Sequence, residues 1–535
     1  MPRSLYSNRL QLSVHTALAL LFSSSCCYFF FLPACPAAES LWLDAARASI
    51  TKNELHNHVS VLADDMLEGR EGGSRGGRAA ARYLVQKLQE ARLRPAGNGD
   101  QFTQNFQHNH QNLLAIWPSS DPDLQDEYVL VGAHYDHVGY GSRRNSYGPW
   151  GYIHNGADDN ASGVAAVLEV IDALVQTGHQ PRRSILFAFW DGEEQGLLGS
   201  KYWKRNPTIP LSSVGLAINV DMVGRLTNGR IEVGGTRSAV SSRNFMCSSS
   251  LPEGVWLDFN WEYKNNSDHW TFFHAGIPSL YVHTGVHDDY HRPSDDVEKL
   301  NIDGIRIVSD YLLQQLSQLT DVKKLPTFRR TAISETPATQ RRLEQSLPAL
   351  SLRLDFAWQL NTSPANSILI THVPWRSPAT QLGLSAGDQI VAVNGQPVIG
   401  EAAFQRMLLR SESPLNVQVV KQSTGEQLDL SLPLVGKPTR LGLSWRADQA
   451  EPKSVYVTRV VPHSPAALAG IKLHDRIYEV DGKAIVGASE LLTQIQASLD
   501  SGQPAIDCLI ESKGRLQHVQ ISLTGEASPQ PDATL

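Results

Sequence analysis

Short apolar runs alternate with helix-like spacings over residues 113–319 of the chain. The runs at 128–133, 184–190 and 215–221 are apolar at successive positions, as strands buried on both faces are, and 278–282 predicts a fourth strand. Apolar residues at three- and four-residue spacings predict helices at 164–175, 195–205 and 303–319. The alternation predicts an α/β unit with a mainly parallel mixed sheet flanked by helices.

A second pattern begins after this unit. Residues 323–345 are polar and contain Pro326 and Pro337, which predicts a linker. Beyond them the sequence repeats at an offset of 87 residues: Ser377-Pro378-Ala379 matches Ser464-Pro465-Ala466, and five more positions match in the same register. The repeat predicts two copies of one small β-rich module.

The beginning of the chain has the pattern of an export signal. Arg3 and Arg9 precede a largely apolar run at 12–32, and small residues follow at 34–38. We therefore expect a periplasmic or extracellular protein. Two alternatives place it at a membrane: an uncleaved signal that stays as an anchor, or a lipid attached to Cys35.

These patterns divide the chain into six predicted segments. Helical spacings at 45–96 add covering helices to the α/β domain. The segments are the export signal at 1–38, the α/β domain at 45–320, the linker at 321–345, the modules at 346–436 and 437–525, and a tail at 526–535.

Composition narrows the function classes. Hydrophobic residues make up 41% of the 535 residues and charged residues 19%, which is typical of folded domains rather than of disordered polymers. The 47 basic and 54 acidic residues give a net charge of −7, so no sequence-wide basic field favours nucleic acid. Three of the five cysteines fall in the first 35 residues, which leaves Cys247 and Cys508 too few for a disulfide framework.

Polar side chains follow the predicted strands where each strand ends. In an open parallel sheet these ends face one crevice, so side chains from distant parts of the sequence can meet there. Histidine and carboxylate ligands without cysteine suit zinc or a similar divalent ion. Each group alone would be an ordinary strand-end pair, a helix cap or a surface residue, but their joint arrangement favours a metal site. The groups are His134 and Asp136, Asp158 and Asp159, Glu193 and Glu194, Asp221, and His291 in a late loop.

The charges suggest how such a site works. A carboxylate between two cations ionises readily, and Asp158 also lies at the amino end of a predicted helix, where the partial charge is positive. Glu193 and Glu194 would otherwise be adjacent like charges. A metal that binds one of them leaves the other as a base for a water molecule.

The motifs of residues 55–319 resemble the M28 family of di-zinc aminopeptidases. Both 67–74 and the run Ser267-Asp268-His269 are also similar to that family. The stretches that carry the resemblance are 134–136 (HYD), 156–163 (GADDNASG), 191–194 (DGEE), 219–222 (NVDM) and 290–295 (YHRPSD).

The resemblance implies a role for each site residue and two Zn2+ ions per chain. Glu193 would be the general base, Asp136 would orient His134, and Tyr290 would help to stabilise an oxyanion. It also implies a cis peptide bond between Asp158 and Asp159. The implied metal ligands are His134 and Asp221 for one ion, Glu194 and His291 for the other, and Asp158 as the bridge.

The activity implied by the resemblance is hydrolysis of the first peptide bond of peptides with a free amino terminus. One alternative on the same scaffold is a glutaminyl cyclase-like transferase with a single zinc, although a complete set of five ligands argues against it. A second alternative is a binding protein in which the two modules do the work and the α/β domain is a platform.

The two modules resemble PDZ domains. Residues 384–395 and 471–482 carry the resemblance, which implies that C-terminal peptides bind at a sheet edge next to a glycine-containing loop. Arg440-Leu441-Gly442-Leu443 fits that loop in the second copy. In the first copy the position of Gly442 is Asp355, whose charge would repel a peptide carboxylate. Two other roles are open for the modules: packing against the rest of the protein, or spacing between domains.

Overall fold

The computed structural model describes residues 36–248, 250–261, 263–347, 353–362, 366–436, 438 and 441–523. Residues 1–35 of the predicted export signal, which include Cys35, lie outside the described residues, as do loop residue Arg440 and the tail at 526–535. Within the described part, no helix is both long and apolar enough to cross a bilayer. Cys247 and Cys508 are buried free thiols.

A nine-stranded mixed sheet forms the centre of the α/β domain. Its order is β1-β3-β5-β4-β6-β9-β7-β8, with β2 on β3; the pairs β5-β4, β4-β6 and β6-β9 are parallel. The sheet therefore has the predicted parallel centre, with antiparallel pairs on both sides of it and a parallel β7-β8 pair at one edge. The strands are β1 (Arg94–Pro95), β2 (Thr103–Phe106), β3 (His110–Trp117), β4 (Tyr128–His134), β5 (Ser184–Trp190), β6 (Val214–Val220), β7 (Arg230–Gly234), β8 (Trp256–Asp258) and β9 (Ser279–His283).

Helices cover both faces of this sheet. Along β4, Val129 and Val131 pack into one apolar core while Leu130 packs into a second core on the opposite face, which explains why the strand is apolar throughout. The helices are α1 (Pro36–Ser49), α2 (Lys52–Leu62), α3 (Arg75–Glu90), α4 (Gly163–Thr177), α5 (Leu198–Arg205), α6 (Ser242–Met246), α7 (His269–Phe273), α8 (Ile302–Asp321) and α9 (Pro337–Glu344).

The first module is a six-stranded antiparallel sheet with its own apolar core. Ser377 caps α10 by accepting the amide hydrogen of Thr380 at 3.1 Å. Its elements are β10 (Ala357–Asn361), β11 (Ser367–His372), α10 (Pro378–Gln381), β12 (Gln389–Val393), β13 (Gln396–Pro397), α11 (Glu401–Arg410), β14 (Leu415–Val420) and β15 (Gln427–Leu432).

The second module repeats this order of strands and helices, as the offset of 87 residues predicts. Ser464, the counterpart of Ser377, caps α12 in the same way. Its elements are β16 (Leu443–Ala447), β17 (Val455–Val460), α12 (Pro465–Leu468), β18 (Arg476–Val480), β19 (Lys483–Ala484), α13 (Ala488–Asp500), β20 (Ala505–Ser512) and β21 (Arg515–Ser522).

The second module packs directly against the α/β domain. Backbone amides of the α/β domain donate to carbonyl oxygens of the module: Ser241 to Ala450 at 2.8 Å and Ser248 to Gly514 at 3.0 Å. A side chain at Gly514 would collide with Leu257, since a Cβ there would lie 2.4 Å from the Leu257 Cβ. We call this contact the junction.

Buried ion pairs complete the junction. Asp448 of the second module lies 2.8 Å from Arg237 of the α/β domain and 2.7 Å from Arg476 of its own module. Glu511 pairs with Arg243 at 2.9 Å. These charges satisfy one another across the domain boundary.

The segment predicted as a linker is folded. It contains a 3-10 turn, Arg330–Ser334, and helix α9. Glu335 pairs with Arg237 at 2.7 Å, and Arg446 donates to the carbonyl oxygen of Gln345 at 2.7 Å. The segment therefore lies on the junction instead of spacing two domains apart.

Candidate metal centre

The carboxyl ends of the central strands bring the predicted side chains together. Strand β4 ends at His134, Glu194 follows β5, and Asp221 follows β6 directly. Asp159 comes from a π-helical turn, Ala157–Ser162, that leads into α4. The expectation that strand ends meet in one crevice is met for these residues.

Asp159 lies between two histidines. Its Oδ1 is 3.2 Å from Nε2 of His134, and its Oδ2 is 3.0 Å from Nε2 of His291. On either side a further acid completes the group: Asp221 Oδ1 is 3.4 Å from His134 Nε2, and Glu194 Oε2 is 3.1 Å from His291 Nε2. The result is two clusters that share one carboxylate.

The structure does not place Asp158 in this shared position, so the sequence prediction was wrong by one residue. Asp158 points away from both histidines: its Oδ1 accepts hydrogen bonds from the Ser162 hydroxyl at 2.8 Å and the Gly224 amide at 2.5 Å. Its Oδ2 lies 3.1 Å from His287 Nε2. The cis peptide bond likewise lies between Asp159 and Asn160, not between Asp158 and Asp159.

The donor set fits two zinc ions. Ligand atoms about 2.0–2.2 Å from a tetrahedral zinc lie about 3.3 Å apart, close to the four ring-to-carboxylate distances seen here. Asp221 Oδ1 and His291 Nε2 are buried without a hydrogen-bond partner among the described residues. Buried polar atoms rarely stay unpaired, so a cation in each cluster is the partner that the geometry favours.

The acids also favour positive charge electrostatically. Burial lowers the pKa of His134, but the carboxylates of Asp221 and Glu193 outweigh burial and leave this pKa well above its usual value. For His291, Glu194 and Asp159 likewise outweigh burial and raise the pKa to about 11. Both rings sit where a cation is stabilised.

The adjacent acids Glu193 and Glu194 have opposite pKa shifts. Burial, followed by the charge of Glu194, raises the pKa of Glu193 well above its usual value. Burial also raises the pKa of Glu194, but contacts with His291 and His137 outweigh burial and leave this pKa below its usual value. Neighbouring acids with diverging pKa values suit a ligand beside a proton acceptor.

Asp136 contacts both His134 and the backbone of Glu193. Nδ1 of His134 lies 3.1 Å from the backbone oxygen of Asp136 and 3.7 Å from its carboxylate. The carboxylate Oδ1 accepts the backbone amide hydrogen of Glu193 at 3.1 Å. The carboxylate thus positions Glu193, while the orientation of His134 depends on the main chain.

Tyr290 lies against the second cluster. Its ring stacks on that of His291 with 3.9 Å between the centroids. Burial and the carboxylates of Asp159 and Glu194 raise the pKa of Tyr290, so its hydroxyl stays protonated and can donate a hydrogen bond.

His137 was missed by the sequence reasoning. Its Nδ1 lies 2.8 Å from Oε1 of Glu194, the oxygen that faces away from His291, and 3.8 Å from Asp159 Oδ2. It belongs with Asp159, Glu194 and His291 to one group of side chains that could hold a metal ion. The only signal was its place one residue after Asp136 at the end of a buried strand.

Asp295 and Arg70 hold the backbone around Asp159. Asp295 Oδ2 accepts the amide hydrogens of both Asp158 and Asp159 at 3.0 Å. The fully buried guanidinium of Arg70 donates to the carbonyl oxygens of Tyr135 and Gly156, each at 2.9 Å. Both residues lie in motifs quoted above, but spacing alone did not reveal what they hold.

Ser267 and Asp268 extend the network behind Asp221. The Ser267 hydroxyl donates to Asp221 Oδ2 at 2.6 Å. Asp268 is buried with both carboxylate oxygens unpartnered among the described residues, and burial raises its pKa to about 7. The inner end of the centre is therefore acidic and closed to solvent.

Comparison with known proteins agrees with this geometry. The sequence model of Peptidase family M28 matches residues 112–316, which include both clusters. This part of the chain is a peptidase family M28 domain. PDZ domain models match residues 370–421 and 429–504, so the M28 domain is followed by two PDZ-type domains.

Relatives of the M28 domain are peptidases. Leupeptin-inactivating enzyme 1 of Streptomyces exfoliatus is 29% identical over 55% of this chain and 61% of its own length. A probable leucine aminopeptidase of Arthroderma otae is 31% identical over 34% and 50%. A probable zinc metalloprotease of Pyrenophora tritici-repentis is 37% identical over 33% and 41%. The chain thus spans about half the length of these relatives.

Solved structures with a similar fold include peptidases and a cyclase. The LapA aminopeptidase of Legionella pneumophila aligns with a TM-score of 0.42 and 18% identity, over 53% of this chain and 76% of its own. A glutaminyl cyclase of Porphyromonas gingivalis aligns with a TM-score of 0.42 and 20% identity, over 50% and 98%. Both alignments cover about half of this chain.

Proposed function

We propose that this chain is a di-zinc aminopeptidase that removes the first residue of peptides with a free amino terminus. One observation carries the proposal: Asp159 lies within 3.2 Å of both His134 and His291, with Asp221 and Glu194 completing the two sides. The M28 domain and the peptidase relatives support it.

The chemistry of the site divides between metal and protein. Two zinc ions held by these five side chains would polarise the substrate carbonyl and acidify the attacking water. Glu193 has the raised pKa of a proton acceptor and would take the proton of that water, then return it to the leaving amine. The protonated hydroxyl of Tyr290 would donate to the developing oxyanion.

The substitution Glu193→Gln tests this assignment. It removes the proton acceptor but none of the five ligands, so we expect kcat on an aminoacyl anilide to fall at least about a hundredfold with zinc content unchanged. Zinc per chain is measured by atomic absorption. Blocking the amino group of the substrate should abolish turnover by the native chain, and equal cleavage of blocked peptides would contradict exopeptidase action.

A glutaminyl cyclase-like transferase on the same scaffold is the second candidate for the M28 domain. It is favoured only if one zinc binds per chain and if peptides with an amino-terminal glutamine release ammonia. The shared position of Asp159 supports two ions and hence the aminopeptidase.

We also propose that the second module binds peptide C-termini. Gly442 has φ +81°, and a Cβ there would lie 2.1 Å from the Ser464 Cβ, so this turn accepts only glycine. In the first module, the Asp355 carboxylate accepts the Ala379 amide at 3.1 Å and so places a negative charge in the corresponding loop.

Titration with C-terminal peptides tests this role. Gly442→Val should abolish binding to the second module, whereas Asp355→Gly, at the matching position, should leave that binding unchanged. Unchanged affinity in Gly442→Val would assign the second module to packing.

The alternative in which the chain is a binding protein predicts a different result. Glu193→Gln would leave all partner binding intact, and no turnover would be found in the native chain.

Export is proposed from residues 1–38 alone. Sequencing the amino terminus of the protein recovered outside the cytoplasm tests it, and a lipid on Cys35 would appear as an added acyl mass.

A further inference from the structure

One loop beside the metal centre displays four exposed aromatic side chains. Residues 138–154 connect β4 to the turn that carries Asp159, and the four rings at positions 140, 147, 150 and 152 are between 47% and 65% exposed. Among the described residues, the only other large aromatic side chain exposed to this degree is Trp375 of the first module. Clustered exposed apolar side chains typically mark an interaction site.

The backbone of this loop is fixed from within. His154 is fully buried, and its amide donates to the Gly139 oxygen at 2.9 Å. The Gly151 amide donates to the Tyr140 oxygen at 2.9 Å, and the Ser146 hydroxyl lies 2.6 Å from His154 Nε2. The rings are therefore presented at set positions, which lowers the entropy lost when a ligand binds.

The loop is tied to the metal centre through His291. The backbone oxygen of His291 accepts hydrogen bonds from the Ser146 hydroxyl at 2.9 Å and from the Tyr147 amide at 3.2 Å. The Tyr147 ring centroid lies 6.2 Å from that of Tyr290 and 6.5 Å from that of His291. The exposed Tyr147 ring therefore borders the outer side of the centre.

An arginine side chain lies near the ring of Tyr147 and another near the ring of Trp150. Arg292 donates to the Tyr147 oxygen at 3.2 Å and lies 5.8 Å from the Tyr147 ring centroid. Arg143 lies 5.0 Å from the Trp150 ring centroid. Tyrosine, tryptophan and arginine are the residues most enriched where peptides and proteins bind tightly.

We propose that Tyr147 and Trp150 bind the second and third residues of the peptide substrate and favour apolar side chains there. The inference rests on the proposed aminopeptidase function. Asp221 and Asp268 are buried at the inner end of the centre, whereas the exposed Tyr147 ring borders His291 and Tyr290. The Trp150 indole is one step further out and donates to the backbone oxygen of Ser146 at 3.2 Å. A peptide whose first residue occupies the inner end leaves past these rings.

The test compares substrates of different length. An amino acid amide has no second residue and releases only ammonia, so it does not reach the rings, whereas a pentapeptide with the same first residue and with leucine or phenylalanine at positions two and three does. Tyr147→Ser and Trp150→Ser should each lower kcat/KM for the pentapeptide about two- to tenfold, the usual worth of an aromatic contact. The kcat/KM for the amino acid amide should change less than twofold.

Trp375→Ser is the matched control, because Trp375 is an exposed tryptophan with an arginine, Arg376, 4.1 Å from its ring centroid. It should change neither substrate. Equal losses for the amino acid amide and the pentapeptide in Tyr147→Ser would overturn the proposal and assign the ring to positioning His291. A changed sedimentation mass with unchanged length dependence would overturn it in favour of contact between copies of the chain.

A binding measurement separates this inference from the proposed function. In zinc-loaded Glu193→Gln, fluorescence anisotropy of a labelled pentapeptide should show a Kd weakened by the same two- to tenfold when Tyr147 or Trp150 becomes serine. If the native chain hydrolyses neither substrate, the proposed function fails while this measurement still reports on the loop. An unchanged Kd would overturn the role of the rings alone.

Discussion

The metal centre and the junction are both buried clusters of charge, but they differ in how the charge is balanced. At the junction, Asp448 lies between two guanidinium groups, those of Arg237 and Arg476. At the metal centre, Asp159 and Asp221 face imidazole rings. Buried acids need a counter-charge, which the chain provides at the junction and which a bound cation would provide at the centre.

The difference separates two uses of buried acids. A cluster that is neutralised from within fixes two domains against each other, because removing either partner leaves an unpaired buried charge. A cluster with excess acid holds its side chains ready for a ligand. Acid content alone therefore does not identify a metal centre. Buried acid that lacks guanidinium or ammonium partners is what a bound cation would neutralise.

The largest expected effect comes from Asp159→Asn compared with Asp158→Asn. Asp159 serves both clusters, so Asp159→Asn should lower zinc affinity and kcat/KM by about a thousandfold or more, beyond the tenfold to hundredfold cost of losing a residue that only supports a ligand. Asp158→Asn keeps an oxygen for the Ser162 and Gly224 hydrogen bonds and should retain two zinc ions. Metal analysis after gel filtration measures both.

The reverse outcome would restore the original sequence prediction. If Asp158→Asn lost the metal while Asp159→Asn kept it, the shared ligand would be Asp158, and the comparison of the two clusters would lose its basis.

The next effect concerns the junction. Asp448→Ala leaves the buried Arg476 without its ion-pair partner and Arg237 with Glu335 alone, so it should lower the free energy of unfolding by about 3–5 kcal/mol, measured with urea. Zinc content should not change. Asp429→Ala is the control: this exposed acid accepts one hydrogen bond, from Gln418 at 3.2 Å, and its loss should cost less than about 0.5 kcal/mol.

The pH dependence of the Asp448 contribution sharpens the same prediction. Burial raises the pKa of Asp448, but Arg476 and Arg237 outweigh burial and hold the folded-state pKa below the usual value. A depressed folded pKa gives stability that is present above the unfolded pKa, about 3.9, and is lost as the pH falls below it. The stability difference between native chain and Asp448→Ala should thus be constant from pH 7 to 5 and shrink below pH 4.

The smallest effect is expected at His137. His137→Ala removes the group that holds Glu194 Oε1 and should weaken zinc binding about ten- to a hundredfold, measured by competition with a chelating dye. His137→Asn keeps an N–H near the position of Nδ1 and should recover most of the affinity. If asparagine were as damaging as alanine, the ring itself would be a ligand instead of a support.

The strands and the repeat could be predicted because their signals are local. Strand β5 was predicted at its observed bounds, residues 184–190, and the helix predicted at 303–319 lies within α8, Ile302–Asp321. An apolar run indicates a buried strand, and a fixed offset indicates a repeated module. Both patterns are visible in the sequence without knowledge of tertiary contacts. Three of the five expected ligands, His134, Glu194 and Asp221, meet for the same reason, since they lie at or just after strand ends. His291 joins them from a loop.

The errors arise where neighbouring residues compete for one position. Asp158 and Asp159 have the same chemistry and differ only in the direction of their side chains, which the turn at 157–162 sets through Asp295. His137 gave no periodic signal. The folding of the segment at 321–345 depends on partners more than 100 residues away, such as Arg446, which donates to the Gln345 oxygen. No local pattern reveals such a partner.

The anchoring of the polypeptide on both sides of the first module has an engineering consequence. Before it, the amide of Leu347 donates to Thr458 at 2.9 Å; after it, Leu441 accepts the amide of Ala466 at 3.1 Å. Both attachment points belong to the second module, so the first module is a cassette inserted between them. We expect that the first module can be deleted or exchanged for an unrelated domain while the rest of the structure stays folded.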